Sequence, residues 1–304
     1  METERTPSRT LRCWLKLFTA AAILFLAVLA AVRIAHAAQA DDERAPAALG
    51  AEAKFFQTFN GGGPDRAASL PLLMAAYATD PRDARTNLLL GLNHLWLAAE
   101  GDRSDPRTIE NVVLAERFLA RAQSLNPGDQ RIASWLVPIR LSLASIEREP
   151  AGRQGEIFGE LLAAYQEDPD FHSFSLALLS FDRPRGSQEF QRGLEALRLT
   201  KGCAAENAAC RNRPKWPHNR EAFLTFHADY ELKAGHPDRA AELLRHAQAE
   251  PDYPAWPFRA KVEDRLKNLE AYGKLYANED ARDDPPSLMA HAGGVTCQSC
   301  HRAR

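Results

Sequence analysis

Apolar residues in this chain recur at helical spacing. Val262, Leu266, Leu269, Tyr272 and Leu275 follow one another at intervals of three or four and predict a single amphipathic face. Leu88, Leu92, Leu95 and Leu97 lie in a second helical stretch, which the pattern opens at Asp80-Pro81 and closes near Gly101. Alternating apolar–polar runs, the mark of strands, are scarce, so the expected fold class is all-α. Phe223, Phe226, Trp256 and Phe258, with Trp216, read as core aromatics. The many Asp and Glu read as solvated helix faces.

The pattern also repeats. Leu73, Ala76 and Tyr77 run into Asp80-Pro81, and Leu119 and Ala122 run into Asn126-Pro127. Leu161, Ala164 and Tyr165 run into Asp168-Pro169, and Leu244 and Ala247 run into Glu250-Pro251. Successive alanines are separated by 46, 42 and 83 residues, a period near 42 with one degenerate unit, where Cys203 and Cys210 sit. A small Ala lets two helices approach closely, and Pro stops one helix and is pre-set to start the next. Each unit is expected to be a helical hairpin that buries its apolar face only by stacking on its neighbours.

Ala115, Leu119, Ala122 and Pro127 reproduce a spacing that resembles tetratricopeptide (TPR) repeats. Gly235-His236-Pro237-Asp238-Arg239-Ala240 is similar to that family's turn and second-helix start. The units are longer than the family's period of about 34, and Gly101 to Pro106 lies in an insertion between Gly91 and Ala115. The resemblance implies a TPR-like helical-hairpin repeat, an α-solenoid, with a surface for a peptide or protein partner.

The N-terminus sets the compartment. Arg5, Arg9, Arg12 and Lys16 precede a sixteen-residue apolar run, Leu17 to Val32. Ala35-His36-Ala37 and Ala38-Gln39-Ala40 then lead into Asp41-Asp42-Glu43. This is the layout of a secretory signal peptide over residues 1–40, and it places the protein in the periplasm or outside the cell. A retained membrane anchor is the alternative, although the run is short of the ~20 residues that span a bilayer and Arg33 ends it. The expected organisation is therefore a signal peptide, a helical repeat over 41–277, and a linker with an irregular C-terminal segment over 278–304. Without residues 1–40 the net charge is −5, from 33 Lys and Arg against 38 Asp and Glu. With no basic block, nucleic acid is not an expected partner.

The chemistry sits at the other end. Cys297-Gln298-Ser299-Cys300-His301 is a C-x-x-C-H sequence, and only three residues follow it. In this pattern two thiols form thioethers with a porphyrin and the adjacent imidazole becomes an axial iron ligand. A zinc site would need a second ligand pair, and a thioredoxin-like site a βαβ context; the sequence offers neither. A plain Cys297–Cys300 disulfide remains, but the adjoining His301 and the export signal favour haem. The segment resembles those of c-type cytochromes. That resemblance implies one covalent haem c on Cys297 and Cys300, His301 as proximal ligand, and electron transfer with a redox partner protein, possibly another cytochrome. No residue downstream can bind the sixth iron position. The candidates are His291 and Met289, close before the motif, and His218 and His227 in an aromatic-rich stretch. Cys13 precedes the apolar run and leaves with it. Cys203 and Cys210, seven apart, are then expected to form a disulfide in an oxidising compartment. Glu279 to Pro286 reads as a linker. No G-x-S-x-G, H-E-x-x-H or Walker loop occurs, which points to an electron carrier rather than an enzyme. A five-coordinate haem that senses a gas or reduces peroxide, and a non-redox TPR-type scaffold or assembly factor, are the alternatives.

Overall fold

A computed structural model of the chain describes residues 44–59, 67–102, 105–148, 150–199, 220–278, 280, 283–285, 287, 290–291 and 294–295. They form twelve helices: α1 (Pro46–Phe59), α2 (Leu70–Thr79), α3 (Ala84–Glu100), α4 (Pro106–Leu125), α5 (Ala133–Ile146), α6 (Ala151–Glu167), α7 (Pro169–Ser180), α8 (Gln188–Leu199), α9 (Arg220–Lys233), α10 (Pro237–Gln248), α11 (Arg259–Lys267) and α12 (Leu269–Ala277). Residues 1–40, with the signal-peptide reading, lie outside the described residues, as do all five cysteines. Among the described residues no helix is long and apolar enough to cross a membrane.

The repeating alanines mark helix ends. The carbonyls of Ala76, Ala122 and Ala164 accept the N–H of Asp80, Asn126 and Asp168 at 2.9–3.0 Å, and Ala247 accepts from Glu250 at 3.2 Å. All four alanines are buried, so the residue that closes each helix also admits its neighbour. Asp residues then start the next helices. Asp83 accepts from the N–H of Arg85 and Thr86, Asp105 from Arg107 and Asp168 from Phe171. Pro106 and Pro169 take the first helical position, where no N–H is needed. The start of α3 is thus Asp83-Ala84, while Asp80-Pro81 forms the preceding turn. Gly235, at φ +90°, turns the chain between α9 and α10.

Helices pack as consecutive pairs, α3 with α4, α5 with α6, α7 with α8 and α9 with α10. The first helices of the pairs also meet in succession. α3 touches α5, and α5 touches α7; Phe174 and Phe181, at the end of α7, reach Phe226 of α9. Close approach is built in at two glycines. A Cβ on Gly91 would lie 2.6 Å from Leu119 Cγ, and one on Gly193 would lie 2.4 Å from Tyr230 Oη and 3.2 Å from Ala177 Cα.

Two sequence expectations change. The stripe from Val262 to Leu275 belongs to two helices, because the chain breaks at Asn268, whose amide donates to the Asp264 carbonyl and carboxylate. And not every acidic residue is solvated: α9 is buried on nearly all sides, with Glu221, Asp229, Glu231 and Lys233 enclosed. Phe226 and Trp256 are core, as expected, while Phe223 and Phe258 are half-buried at its edge.

The C-terminal segment is tied back onto the helices. Tyr276 Oη donates to the Pro285 carbonyl at 3.0 Å, and Lys233 Nζ pairs with Asp284 at 2.9 Å. Ala290–His291 (β1) and Gly294–Val295 (β2) form a two-rung antiparallel ladder, and β2 lies against α3.

Gly193→Ala should destabilise the protein by about 1–3 kcal/mol through overpacking against α7 and α9. Gly159→Ala, at an open and exposed position on α6, should stabilise it by about 1 kcal/mol through helix propensity. Urea denaturation of both variants checks this; equal signs would contradict the packing described.

Candidate functional site

The C-x-x-C-H motif begins two residues beyond Val295, the last described residue. Cys297, Cys300 and His301 therefore lie outside the described residues, with Met289, His218 and the Cys203–Cys210 pair. For His291 the backbone is described, in β1. The approach to the motif is held at two points, Asp284–Pro285 on α9 and α12, and β2 on α3.

Around α9 the buried charges are satisfied pairwise. Arg198 of α8 forks onto Glu231 at 2.6 and 2.7 Å, and His236 Nδ1 stands 3.0 Å from the same carboxylate. His227 Nε2 lies 3.3 Å from Glu231 Oε1 but outside hydrogen-bond geometry, so it is a buried nitrogen without a hydrogen bond. Burial pushes the Glu231 carboxyl up, but Arg198 and His227 reverse that and hold it well below the ordinary carboxylate range. Asp229 and Arg265 form a second, fully buried fork with one arm at 3.0 Å. Lys233, on another side of α9, combines the Asp284 contact with a position 5.1 Å from the Phe181 ring centroid. At about 100° per residue, His227 and Lys233 point about 120° apart around the helix. His227 therefore faces the Arg198 cluster rather than the side on which Asp284 is anchored.

Another histidine, which the sequence did not single out, has a different setting. His172 of α7 is fully buried. Its Nδ1 lies 2.5 Å from Ser134 Oγ of α5, and its Nε2 has no hydrogen-bond partner. Burial lowers its pKa against the opposing pull of the Asp168 and Asp129 carboxylates, so the ring is neutral near pH 7. Phe171 stands edge-on to it at 5.2 Å, and Trp135 stands edge-on to Phe171 at 5.4 Å. Both aromatics are half-buried where α5 meets α7.

The other described histidine side chains are differently placed. His94 hydrogen-bonds Asn111 at 2.8 Å and stacks on Phe118 of α4, and His246 is exposed on α10. Among the described residues no group of three or more His, Cys, Asp or Glu is arranged to hold a metal ion. Compared with family models, curated proteins and solved structures, the chain gives no match.

Glu231 sets an acid limit. A carboxyl held below its ordinary value of 4.5 in the fold, and released on unfolding, stabilises the protein above that pH. The contribution is lost as pH falls through the folded value. The urea midpoint should therefore drop more steeply below pH 4.5 in the wild type than in Glu231→Gln, and parallel profiles would show that Glu231 carries no such linkage.

Proposed function

We propose that the protein is an exported monohaem c-type cytochrome whose haem is carried by a C-x-x-C-H segment that follows a TPR-like α-solenoid. The observation that carries this reading is Cys297-Gln298-Ser299-Cys300-His301 in a chain with a secretory N-terminus. The consecutive helix pairs, closed by the periodic alanines, support the repeat reading. The anchoring of Asp284, Pro285 and β2 supports a haem held against the helices rather than on a free tail.

In this reading, Cys297 and Cys300 would hold the porphyrin covalently, so that it is not lost when partners exchange, and His301 would be the residue that ligates its iron. The bound haem supplies a one-electron couple. The helices limit water around it and offer side-chain surface to a redox partner protein. Glu231, Asp229 and Arg265, being enclosed and paired, hold α9 in position and take no part in electron transfer.

The test is expression with a haem c maturation system, followed by denaturing electrophoresis with haem staining and iron analysis. The expected result is one covalently stained chain with one iron, and loss of the stain in Cys297→Ala/Cys300→Ala. An unstained wild-type chain would overturn the reading and return the protein to the class of non-redox scaffolds.

A further inference from the structure

We propose that the N-terminal end of the helical array is a self-association surface, on which the α1–α2 pair of one chain stacks against the α1–α2 pair of a second copy about a two-fold axis. The inference goes beyond the cytochrome reading and does not depend on it.

Inside the array each pair is enclosed by the pairs before and after it. The second helix of one pair meets the first helix of the next, α4 with α5 and α6 with α7, and first helices meet one another. α1 and α2 are joined to α3 and α4 in the same manner. Glu52 of α1 pairs with Arg85 at the start of α3 at 2.9 Å, and Phe59 stands 4.6 Å from Trp96 further along α3, so α1 runs parallel to α3. α2 packs on α3, and its Tyr77 ring lies 5.5 Å from Phe118 of α4. α1 and α2 are therefore the first pair, and among the described residues no helix precedes them.

The outward sides of this pair are uncharged. No exposed residue of α1 or α2 carries a charge. Leu49, Leu72 and Met74 are 43–48% exposed, and Ala53, Ala75 and Ala78 are exposed on the same two helices. Lys54 of α1, half-buried, donates to Gln57 beside it at 3.0 Å. Every later pair differs. Arg117 on α4, Glu156 on α6, Arg192 on α8 and Glu242 on α10 stand in solvent, and at the far end α11 and α12 expose Glu263, Lys267, Glu270 and Lys274. A repeat array keeps its terminal units soluble with a polar outer face. The C-terminal end of this array has one and the N-terminal end does not.

Charge selects the occupant. Stacking the first pair on the last pair of another chain would take Glu263, Lys267, Glu270 and Lys274 out of water against a face that offers no counter-charge, which is costly. The outer sides of the inner pairs carry the same penalty. A second α1–α2 face carries none, and two identical faces meeting about a two-fold axis form a closed contact. With 14 and 10 residues, α1 and α2 are about 21 and 15 Å long, and at about 10 Å width they give a footprint on the order of 350 Å² per chain. A standard stable interface takes about 800 Å² per partner, so this association is reversible and concentration-dependent.

The test is sedimentation velocity of the full-length chain as exported, over a concentration series up to about 1 mM, the weak end of specific association. The wild type should pass from monomer to dimer and stop there. Leu49→Glu and Leu72→Glu, each placing a charge in the contact, should raise the dimer dissociation constant at least about tenfold. Leu199→Glu and Ile146→Glu, at exposed apolar positions on α8 and α5, should leave it unchanged. Urea midpoints close to the wild-type value show that all four variants fold. A wild type that stays monomeric throughout the series overturns the proposal. Growth beyond the dimer overturns the two-fold contact, and a dimer indifferent to Leu49 and Leu72 overturns the surface. A monomer that instead floats with phosphatidylcholine vesicles, and ceases to in Leu72→Glu, assigns the face to a bilayer and also overturns it. Haem staining reads the cytochrome claim separately: a stained monomer defeats only this proposal, and an unstained dimer only the other.

Discussion

Charges buried inside a helical protein have to be paired, and in this molecule that requirement falls on α9. An uncompensated ion in the interior costs several kcal/mol, and breaking a buried pair commonly costs about 3–5 kcal/mol. α9 carries Asp229, Glu231 and Lys233 into the core, and each reaches a different element. Glu231 holds Arg198 of α8, Asp229 holds Arg265 of α11, and Lys233 holds Asp284 of the C-terminal segment. One helix thus fixes the pair before it, the helices after it and the path of the chain toward the motif. Apolar replacements could fill the same space, but they would not dictate which neighbour sits where.

Along the rest of the array the controlling feature is smallness. Ala122 and Gly91 let α3 and α4 approach, and Gly193 lets α8 meet Tyr230 of α9, whose hydroxyl donates to the Ala177 carbonyl at 2.8 Å. These contacts are between successive elements, so each pair is stabilised chiefly by its neighbours.

What could be read from the sequence was what local chemistry decides. The Ala-then-Asp-Pro pattern announced helix ends because the alanine carbonyl accepts the closing N–H and proline cannot continue the ladder. The division at Asn268 was hidden because the apolar stripe runs on in phase through the break. The burial of α9 was hidden for a related reason: its acidic residues look solvated until the partners, 33 and 36 residues away at Arg198 and Arg265, are brought to them. The buried contact of His172 with Ser134, 38 residues earlier, belongs with these, because no spacing rule links the two. The motif itself was legible because its chemistry is contiguous.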